Sequence, residues 1–339
     1  MSQNSRTDIA IVIPAYNAAA FLRTSYETFA RLRNTARVVV VDAGSSDETR
    51  AVALGFSDHV ESCATREGPA AARNRGAAIA TQTILLFVDA DCVPHADAVE
   101  KVLEAFGRDP DLVSLTGSYD DDPPEQNFAS LYMNLRHHYT HQHARREPGT
   151  FWAGCGAVRR SAFLDVGGFD ATRYPRPAIE DIELATRLQA RGRTLLDPSL
   201  QVTHLKRWTL RSVVETDIFH RGIPWAKLVN ETGSLPDDLN MRRSQRVAVA
   251  VAPLAIASLV LMPFSVAEAM WGLVSFEVVL IAGSAATSGG LLRFFAARKG
   301  IPFALAAWLF HQFHLTYSAV VFVSTLLWCR LHRGRRTTP

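Results

Sequence analysis

The segment from Ile84 to Cys92 reads Ile-Leu-Leu-Phe-Val-Asp-Ala-Asp-Cys. Five consecutive apolar residues bounded by polar ones predict a strand that is buried on both faces, as in a parallel sheet. Two carboxylates, Asp89 and Asp91, follow at once, and in an open α/β sheet the ligand crevice lies at the carboxyl ends of the strands. Carboxylates on one rim suit Mg²⁺ or Mn²⁺, which take their remaining ligands from substrate phosphates and water. The same residues also fit a strand that ends in an acidic turn, and the rest of the chain has to decide between these interpretations.

The chain before this segment alternates strand and helix patterns. Residues 9–13 are an apolar run, and a helix is expected from Asn17, a favourable N-cap, to about Arg33. Residues 37–41 are predicted to form a second buried strand, which ends in Asp42. An aspartate at the tip of the second strand of a doubly wound sheet can accept hydrogen bonds from a ribose or a base edge.

A further helix start is predicted at Gly68-Pro69, ahead of Arg73 and Arg75. These two arginines point to roughly opposite sides of the helix, so at most one of them can face the crevice. Strands and helices that alternate in this order predict a Rossmann-like half-domain of an α/β fold.

The composition divides the chain into two unlike parts. Of 339 residues, 48% are hydrophobic and 20% are charged, but charges nearly disappear after Arg246 until the last few residues. A net charge of +3, without a basic-aromatic repeat, argues against nucleic acid as a partner. Four cysteines without a CxxC pair predict reduced thiols. The polar N-terminus lacks the apolar core of a signal peptide, so we expect the soluble part to stay in the cytoplasm.

Four motifs in this order resemble the family 2 glycosyltransferases over about residues 8–230. They are Val12-Ile13-Pro14-Ala15-Tyr16-Asn17, Val41-Asp42-Ala43-Gly44-Ser45-Ser46-Asp47, Ala72-Arg73-Asn74-Arg75-Gly76 and Asp89-Ala90-Asp91. The resemblance implies the GT-A fold, an α/β domain of Rossmann-like design that binds a nucleotide-sugar donor.

The resemblance also implies roles for individual residues in donor binding. Pro14, Ala15, Tyr16 and Asp42 would cradle the nucleoside. Arg73 would contact the donor diphosphate, and Asp89 and Asp91 would hold that diphosphate through a divalent metal, Mn²⁺ or Mg²⁺. Many family members carry a second aspartate where this chain has Ala43, so one possible nucleoside contact is missing.

The acidic pair Glu180-Asp181 resembles the acidic motif of the family, whose aspartate serves as general base. An inverting transfer needs one base near the acceptor hydroxyl, and Asp181 is the candidate, with Glu180 beside it. Ordinary stabilisation of a helix N-terminus by acidic residues is the alternative. The glycine-rich segment 149–158 is predicted to be a strand that a ligand can approach closely, which places Trp152, Gly154 and Cys155 in the acceptor region.

Histidines in the second half have two interpretations each. His204 lies where some GT-A enzymes place a third metal ligand, and imidazole is acceptable to Mn²⁺, but a packed histidine fits as well. His137 and His141 are four residues apart on a predicted helix, where packing is favoured over a metal site. Arg207-Trp208 is assigned to the acceptor region. It resembles only the end of the Gln-x-x-Arg-Trp motif of processive synthases, which argues against polymer synthesis.

Three apolar segments near the C-terminus are long enough for membrane spans, at about 247–267, 271–292 and 303–329. Before them, residues 208–228 suit either an interfacial helix or a core helix, as residues 128–146 do. Three arginines precede the first span (Arg242, Arg243 and Arg246), and three basic residues follow the second span (Arg293, Arg298 and Lys299). The positive-inside rule then predicts a hairpin with both ends in the cytoplasm.

The third segment conflicts with that rule. Another crossing would export the basic C-terminal residues Arg330, Arg333, Arg335 and Arg336. Either the charge bias is overridden or the segment, which contains His311, Gln312 and His314, does not cross completely. The predicted domains are a GT-A catalytic domain over 1–235, including interfacial helices, and a transmembrane anchor over 236–339.

The expected protein is a multi-pass glycosyltransferase of the inner (plasma) membrane with a cytoplasmic catalytic domain. Its acceptor would be a hydroxyl on a lipid-linked or membrane-proximal molecule, because anchoring raises the effective concentration of such acceptors. A polyprenyl phosphate is the alternative acceptor. A nucleotide-sensing transporter and a non-catalytic nucleotide-sugar-binding membrane protein are less favoured. The latter would typically have lost Asp89, Asp91 or Asp181, and all three are present.

Overall fold

The computed structural model describes residues 8–147, 149–233 and 243–332. The chain divides into two compact units, Met1–Arg207 and Trp208–Pro339. The domain boundary predicted between residues 235 and 236 lies outside the described residues.

The first unit is built on an eight-stranded sheet of order β3-β2-β1-β4-β7-β6-β8-β5. The strands are β1 (Ile9–Ala15), β2 (Arg37–Asp42), β3 (His59–Ser62), β4 (Ile84–Val88), β5 (Cys92–Pro94), β6 (Leu112–Tyr119), β7 (Cys155–Arg159) and β8 (Arg193–His204). Strands β1, β2, β3 and β4 are parallel, and β7 joins β4 in the antiparallel sense. The sheet is therefore a Rossmann-like parallel half extended by a mixed half, which is the GT-A arrangement.

In the described part of this unit, seven α-helices connect the strands. They are α1 (Ala19–Leu32), α2 (Thr49–Phe56), α3 (Pro69–Ile79), α4 (Ala98–Arg108), α5 (Phe128–Gln142), α6 (Arg160–Asp165) and α7 (Glu180–Leu188). Helix α5 buries most of its residues, so the predicted amphipathic segment 128–146 is a core helix in this unit.

Strand β4 lies at the centre of the core, as its sequence predicts. All five of its residues are buried, and alternate residues enter two different apolar clusters, Leu86 in one and Phe87 in the other. Burial on both faces requires a continuous apolar run, because successive side chains of a strand point to opposite faces. The polar residues that follow β4 are therefore placed at the rim of a rigid sheet.

The start of α1 differs from the sequence expectation. The helix begins at Ala19 and not at an Asn17 cap, and Asn17 has a φ of 47°, a region that asparagine tolerates better than most residues. The Asn17 side-chain oxygen accepts the backbone N–H of Ser46 at 2.9 Å. The Asp47 carboxylate accepts the N–H of Ala19 at 3.2 Å. The loop after β2 thus supplies the polar partners at the start of α1, and Asn17 ties the two loops together.

The second unit is helical. It contains α8 (Leu210–Glu215), a π-helix (Thr216–Gly222), α9 (Ile223–Thr232), α10 (Arg243–Ala267), α11 (Trp271–Thr287), α12 (Gly289–Lys299) and α13 (Ile301–Leu331). Within the described residues, two helical stretches are long and apolar enough to cross a membrane, Gln245–Ala267 with mean hydropathy 2.4 and Ile301–Leu331 with mean hydropathy 1.2. Large apolar side chains such as Val260 and Phe264 are exposed on α10, as a lipid-facing surface requires.

The segment expected as one span over 271–292 is two helices. α11 and α12 meet at Ser288 and are bent by 71° relative to each other, so they form either a broken span or a re-entrant loop. The break coincides with Gly289-Gly290, and glycine is a poor helix former because its backbone loses the most entropy on ordering.

The third apolar segment is one continuous helix despite its polar residues. The Tyr317 hydroxyl donates to Asp217 Oδ2 at 2.8 Å, and His314 Nδ1 lies 3.0 Å from the same oxygen. Asp217 belongs to the π-helix and is buried. His314 and Tyr317 of α13 therefore have an acidic partner inside this unit, which lowers the cost of burying them.

Candidate active site

The expected donor-binding residues lie together at one edge of the sheet. Strands β1, β2 and β4 are parallel neighbours, so their carboxyl ends place Ala15, Asp42 and Asp89 on the same rim. Asp42 is buried, and its Oδ1 accepts the N–H of Ser45 at 3.0 Å. Tyr16, which follows β1, keeps 39% of its surface exposed. The rim thus offers a buried carboxylate and an open aromatic ring, and Pro14 is half-buried at the end of β1.

The loop after β3 also reaches this rim, which the sequence did not indicate. The Arg66 guanidinium lies 4.3 Å above the centre of the Tyr16 ring. The loop approaches because Gly44, with a φ of +84°, has no side chain. A Cβ there would lie 2.6–2.8 Å from the backbone of Thr65 and Arg66. A larger residue at position 44 would have to push this loop away.

Arg73 connects the rim of the sheet to helix α7. Its guanidinium donates to Asp89 Oδ1 at 2.6 Å and to Glu180 Oε1 at 3.0 Å. Burial alone would lower the pKa of Arg73, but the two carboxylates outweigh it and raise that pKa. Arg75 is exposed and pairs with Glu67 at 2.6 Å. Of the two arginines, Arg73 is therefore the one that faces the site.

Asp181 lies beside this buried ion pair. Its Oδ1 accepts the N–H of Ile182 at 2.8 Å and its Oδ2 accepts the N–H of Ala153 at 3.3 Å. Burial and the neighbouring charge of Glu180 raise the pKa of Asp181 to about 7, against the opposing charge of Arg73. A carboxyl that exchanges its proton near neutral pH is suited to general-base chemistry.

Asp91 and His204 are brought together by strand pairing. β5 pairs with β8 in the antiparallel sense, with Cys92 opposite His204, and the N–H of Leu205 donates to the Asp91 carbonyl at 2.8 Å. His204 Nε2 lies 3.6 Å from Asp91 Oδ2. Burial would raise the pKa of Asp91, but the hydrogen bond and charge of His204 lower it. Among the residues that the structure describes, no three metal-ligating side chains form a group.

The residues expected in the acceptor region do not all have side chains at the rim of the sheet. Trp152 is half-buried and contacts the Tyr119 ring at 4.6 Å, and the Gly154 carbonyl accepts the Asp89 N–H at 3.3 Å. Cys155 is fully buried in the core, where burial raises its pKa to about 12, so its thiol does not line the rim. Arg207 is the last residue of the first unit, is exposed and lies 3.9 Å from Glu125, whereas Trp208 is the first residue of the second unit and is buried.

His137 and His141 of α5 belong to an aromatic cluster. Their rings are 4.1 Å apart, and both contact Trp152. Burial lowers the pKa of His141 to about 4, so this imidazole is neutral near pH 7. The packing interpretation of the pair fits these contacts.

Comparison with known proteins finds similarity to glycosyltransferases. The sequence model of Glycosyl transferase family 2 matches residues 10–167. Pre-mycofactocin glycosyltransferase of Mycobacterium tuberculosis is 30% identical over 230 residues, which cover 64% of this chain and 47% of that protein. Validoxylamine A glucosyltransferase of Streptomyces hygroscopicus is 31% identical over 224 residues, 54% of this chain and 52% of that one. The chain spans about half the length of these curated relatives.

A mannosyltransferase of Pyrobaculum calidifontis, solved with GDP-Man and Mn²⁺, has a similar fold. The TM-score is 0.51 at 18% identity, covering 95% of this chain and 88% of that one. At this identity the likeness concerns the fold alone. Together, the sheet topology and these matches show the GT-A fold, with residues 10–167 matched by the family 2 glycosyltransferase model, followed by helices of which two, among the described residues, are candidate membrane spans.

Proposed function

We propose that this protein transfers a sugar with inversion from a nucleotide-sugar donor to the hydroxyl of a lipid-linked or membrane-proximal acceptor. The observation that carries the proposal is the chain of contacts from Asp89 through Arg73 to Glu180, with Asp181 beside it. These contacts join the strand ends that the family resemblance assigns to the donor to a carboxyl with a pKa of about 7. Donor and base thus meet at one site.

The nucleoside is assigned to the rim formed by Pro14, Ala15, Tyr16 and Asp42. Asp42 offers a carboxylate oxygen to a ribose or a base, and the Tyr16 ring offers a flat apolar surface. The mannosyltransferase of Pyrobaculum calidifontis was solved with GDP-Man, a nucleotide-sugar with a ribose and a base of the kind that these residues would contact. The Arg73 guanidinium, fixed by two carboxylates, places positive charge beside the diphosphate.

A divalent cation fits Asp91 and His204. A carboxylate and a neutral imidazole are acceptable ligands for Mn²⁺, and such ions commonly complete their coordination with substrate phosphates and water. When bound, the cation would neutralise charge that develops on the departing diphosphate. Asp89, whose Oδ1 is bonded to Arg73, would act on the donor side of the same site.

The reaction assigned to the protein residues is proton removal and orientation. The acceptor hydroxyl oxygen attacks the anomeric carbon, and Asp181 takes the hydroxyl proton as the new glycosidic bond forms. The bond between the anomeric carbon and the diphosphate oxygen breaks, and its electron pair leaves with the nucleoside diphosphate. Glu180 holds Arg73 in place for this step. A polyprenyl phosphate acceptor remains the second candidate, because it is already ionised and needs no base.

Asp91→Ala tests the donor site directly. In the full chain in detergent, the variant should fold normally, because Asp91 lies at a strand end, and should lose Mn²⁺-dependent donor binding and donor hydrolysis. The assay is a panel of nucleotide-sugars, with and without membrane lipid extract. Asp97→Ala removes an exposed carboxylate that pairs with Lys101 and should behave as wild type. Equal donor affinity of the wild-type protein with and without EDTA would contradict the proposal.

The proposed location is the inner membrane, with the catalytic domain and both ends of the hairpin on the cytoplasmic side. We expect Lys299→Cys to resist an impermeant maleimide in intact cells, and Glu268→Cys, in the short connection before α11, to be labelled. Both are made with Cys63→Ser and Cys329→Ser, because the other two native thiols are buried. Rapid labelling of position 299 from outside the cell would contradict the proposed topology.

A further inference from the structure

Tyr119, the last residue of β6, lies at the centre of the aromatic cluster beside the proposed cation site. Its ring stacks on His204 with a centroid distance of 4.2 Å and an interplanar angle of 12°. Trp152 meets the same ring edge-on at 4.6 Å, and His137 contacts it at 4.3 Å. The Tyr119 ring therefore contacts both the Trp152 ring and the His204 imidazole.

The strand ladder does not by itself orient the His204 imidazole. The pairing of β5 with β8 fixes the backbone of His204 opposite Cys92, and thereby its distance from Asp91. The imidazole can still rotate about its side-chain bonds, and these terminal torsions have broad energy minima. A ring stacked face to face on a second ring loses that freedom, because rotation would break the offset stack. In the structure the stacked orientation is the one that turns Nε2 towards Asp91, at 3.6 Å from Oδ2.

We propose that Tyr119 is a positioning residue that holds the His204 imidazole with Nε2 directed at Asp91, and so sets the affinity of the site for a divalent cation. The inference rests on the proposed function, in which Asp91 and His204 bind that cation. A ligand that is already oriented does not have to be ordered when the cation binds, so residues around metal ligands influence affinity.

Tyr119 is itself held on both sides. Its carbonyl accepts a hydrogen bond from His138 Nδ1 of α5 at 2.8 Å, and β6 pairs with β8 so that Tyr119 lies opposite Val202. Position 119 is therefore one strand away from His204, in a register that a slip of one residue would destroy. This rigidity is what a positioning residue requires, because a mobile partner could not restrict the imidazole.

Binding of Mn²⁺ to the full chain, followed by the loss of the free-ion electron paramagnetic resonance signal, tests the inference without any turnover. Tyr119→Leu removes the ring and should weaken Mn²⁺ binding by roughly 10-fold, the lower end of the usual effect for residues that support a metal ligand. Tyr119→Phe keeps the ring and should bind like the wild type. Tyr139→Leu removes another stacked tyrosine, which lies in α5 and contacts His143, and should leave Mn²⁺ binding unchanged.

The outcomes separate this inference from the proposed function. If the wild type does not bind Mn²⁺, or His204→Ala binds as well as the wild type, the cation site itself is wrong. If His204→Ala loses binding while Tyr119→Leu retains it, the cation site stands and the positioning role of Tyr119 is rejected. Equal weakening of Mn²⁺ binding in Tyr119→Leu and Tyr139→Leu would indicate that both changes loosen the packing around α5. This outcome would also reject the positioning role of Tyr119.

Discussion

Asp181→Asn should lower turnover by about 10²–10⁴-fold, the usual contribution of a general base, while donor and cation binding persist. Asparagine has nearly the same shape as aspartate but cannot take the acceptor proton. Asp89, Asp91 and Arg73 are untouched in the variant, so the donor side of the site keeps its contacts. The measurement is kcat at saturating donor and acceptor, together with donor affinity.

The pH dependence gives a second readout of the same change. Because burial and Glu180 raise the pKa of Asp181 to about 7, wild-type turnover should increase as the pH rises through neutrality and the base loses its proton. The Asp181→Asn profile should lack this rise. The free energy of unfolding should change in the opposite direction to turnover. Between about pH 3.8 and 7 the folded protein keeps the proton of Asp181, whereas the unfolded chain has released it. Wild-type stability should therefore fall across that range, and this component should vanish in the variant.

A matched control lies in the same helical turn. Glu183 is also acidic and N-terminal in α7, but it pairs with Arg187 at 2.6 Å, and Glu183→Gln should leave turnover within a few-fold of wild type. If Asp181 only stabilises the helix start, Asp181→Asn should cost about 1 kcal/mol or less, because asparagine also caps well. Turnover near the wild-type value would then reject the base and favour a polyprenyl phosphate acceptor.

Arg73→Met should destabilise the protein by about 3–5 kcal/mol, because it leaves Glu180 and Asp89 without their buried cation. Arg73 and Glu180 are both nearly inaccessible, with side chains 5% and 7% exposed. For a domain of this size the loss corresponds to a fall in Tm of roughly 6–20 °C. The measurement is thermal unfolding of the full chain in detergent, at a fixed detergent and salt concentration.

Arg75→Met is the control for Arg73→Met, two residues further along the same helix. Its partner Glu67 is reachable by solvent, and exposed ion pairs contribute about 0–1 kcal/mol. The double variant Arg73→Met/Glu180→Gln should recover part of the loss, since it removes one of the unpaired carboxylates. If Arg73→Met and Arg75→Met lower Tm equally, Arg73 does not compensate buried charge in the way the structure indicates.

Much of the fold can be read from local sequence patterns. The apolar run before Asp89, the carboxylates after it and the order of the four motifs predict an α/β domain that resembles the family 2 glycosyltransferases. The charge-free segments near the C-terminus identify helices of membrane-spanning length. These features depend on neighbours along the chain, because burial on both faces of a strand or all around a helix demands apolar residues in succession.

Contacts between residues that are distant in sequence could be identified only from the tertiary structure. Arg73 meets Glu180 across 107 positions, and Asp91 meets His204 only because β5 and β8 pair in one register. The direction of a strand side chain also depends on register, which is why Cys155 points into the core although its neighbour Gly154 contacts Asp89. The role of Asn17 likewise depends on its partner in another loop, Ser46. No local pattern encodes such pairings, since they arise only when the sheet brings strands from both halves of the domain to one edge.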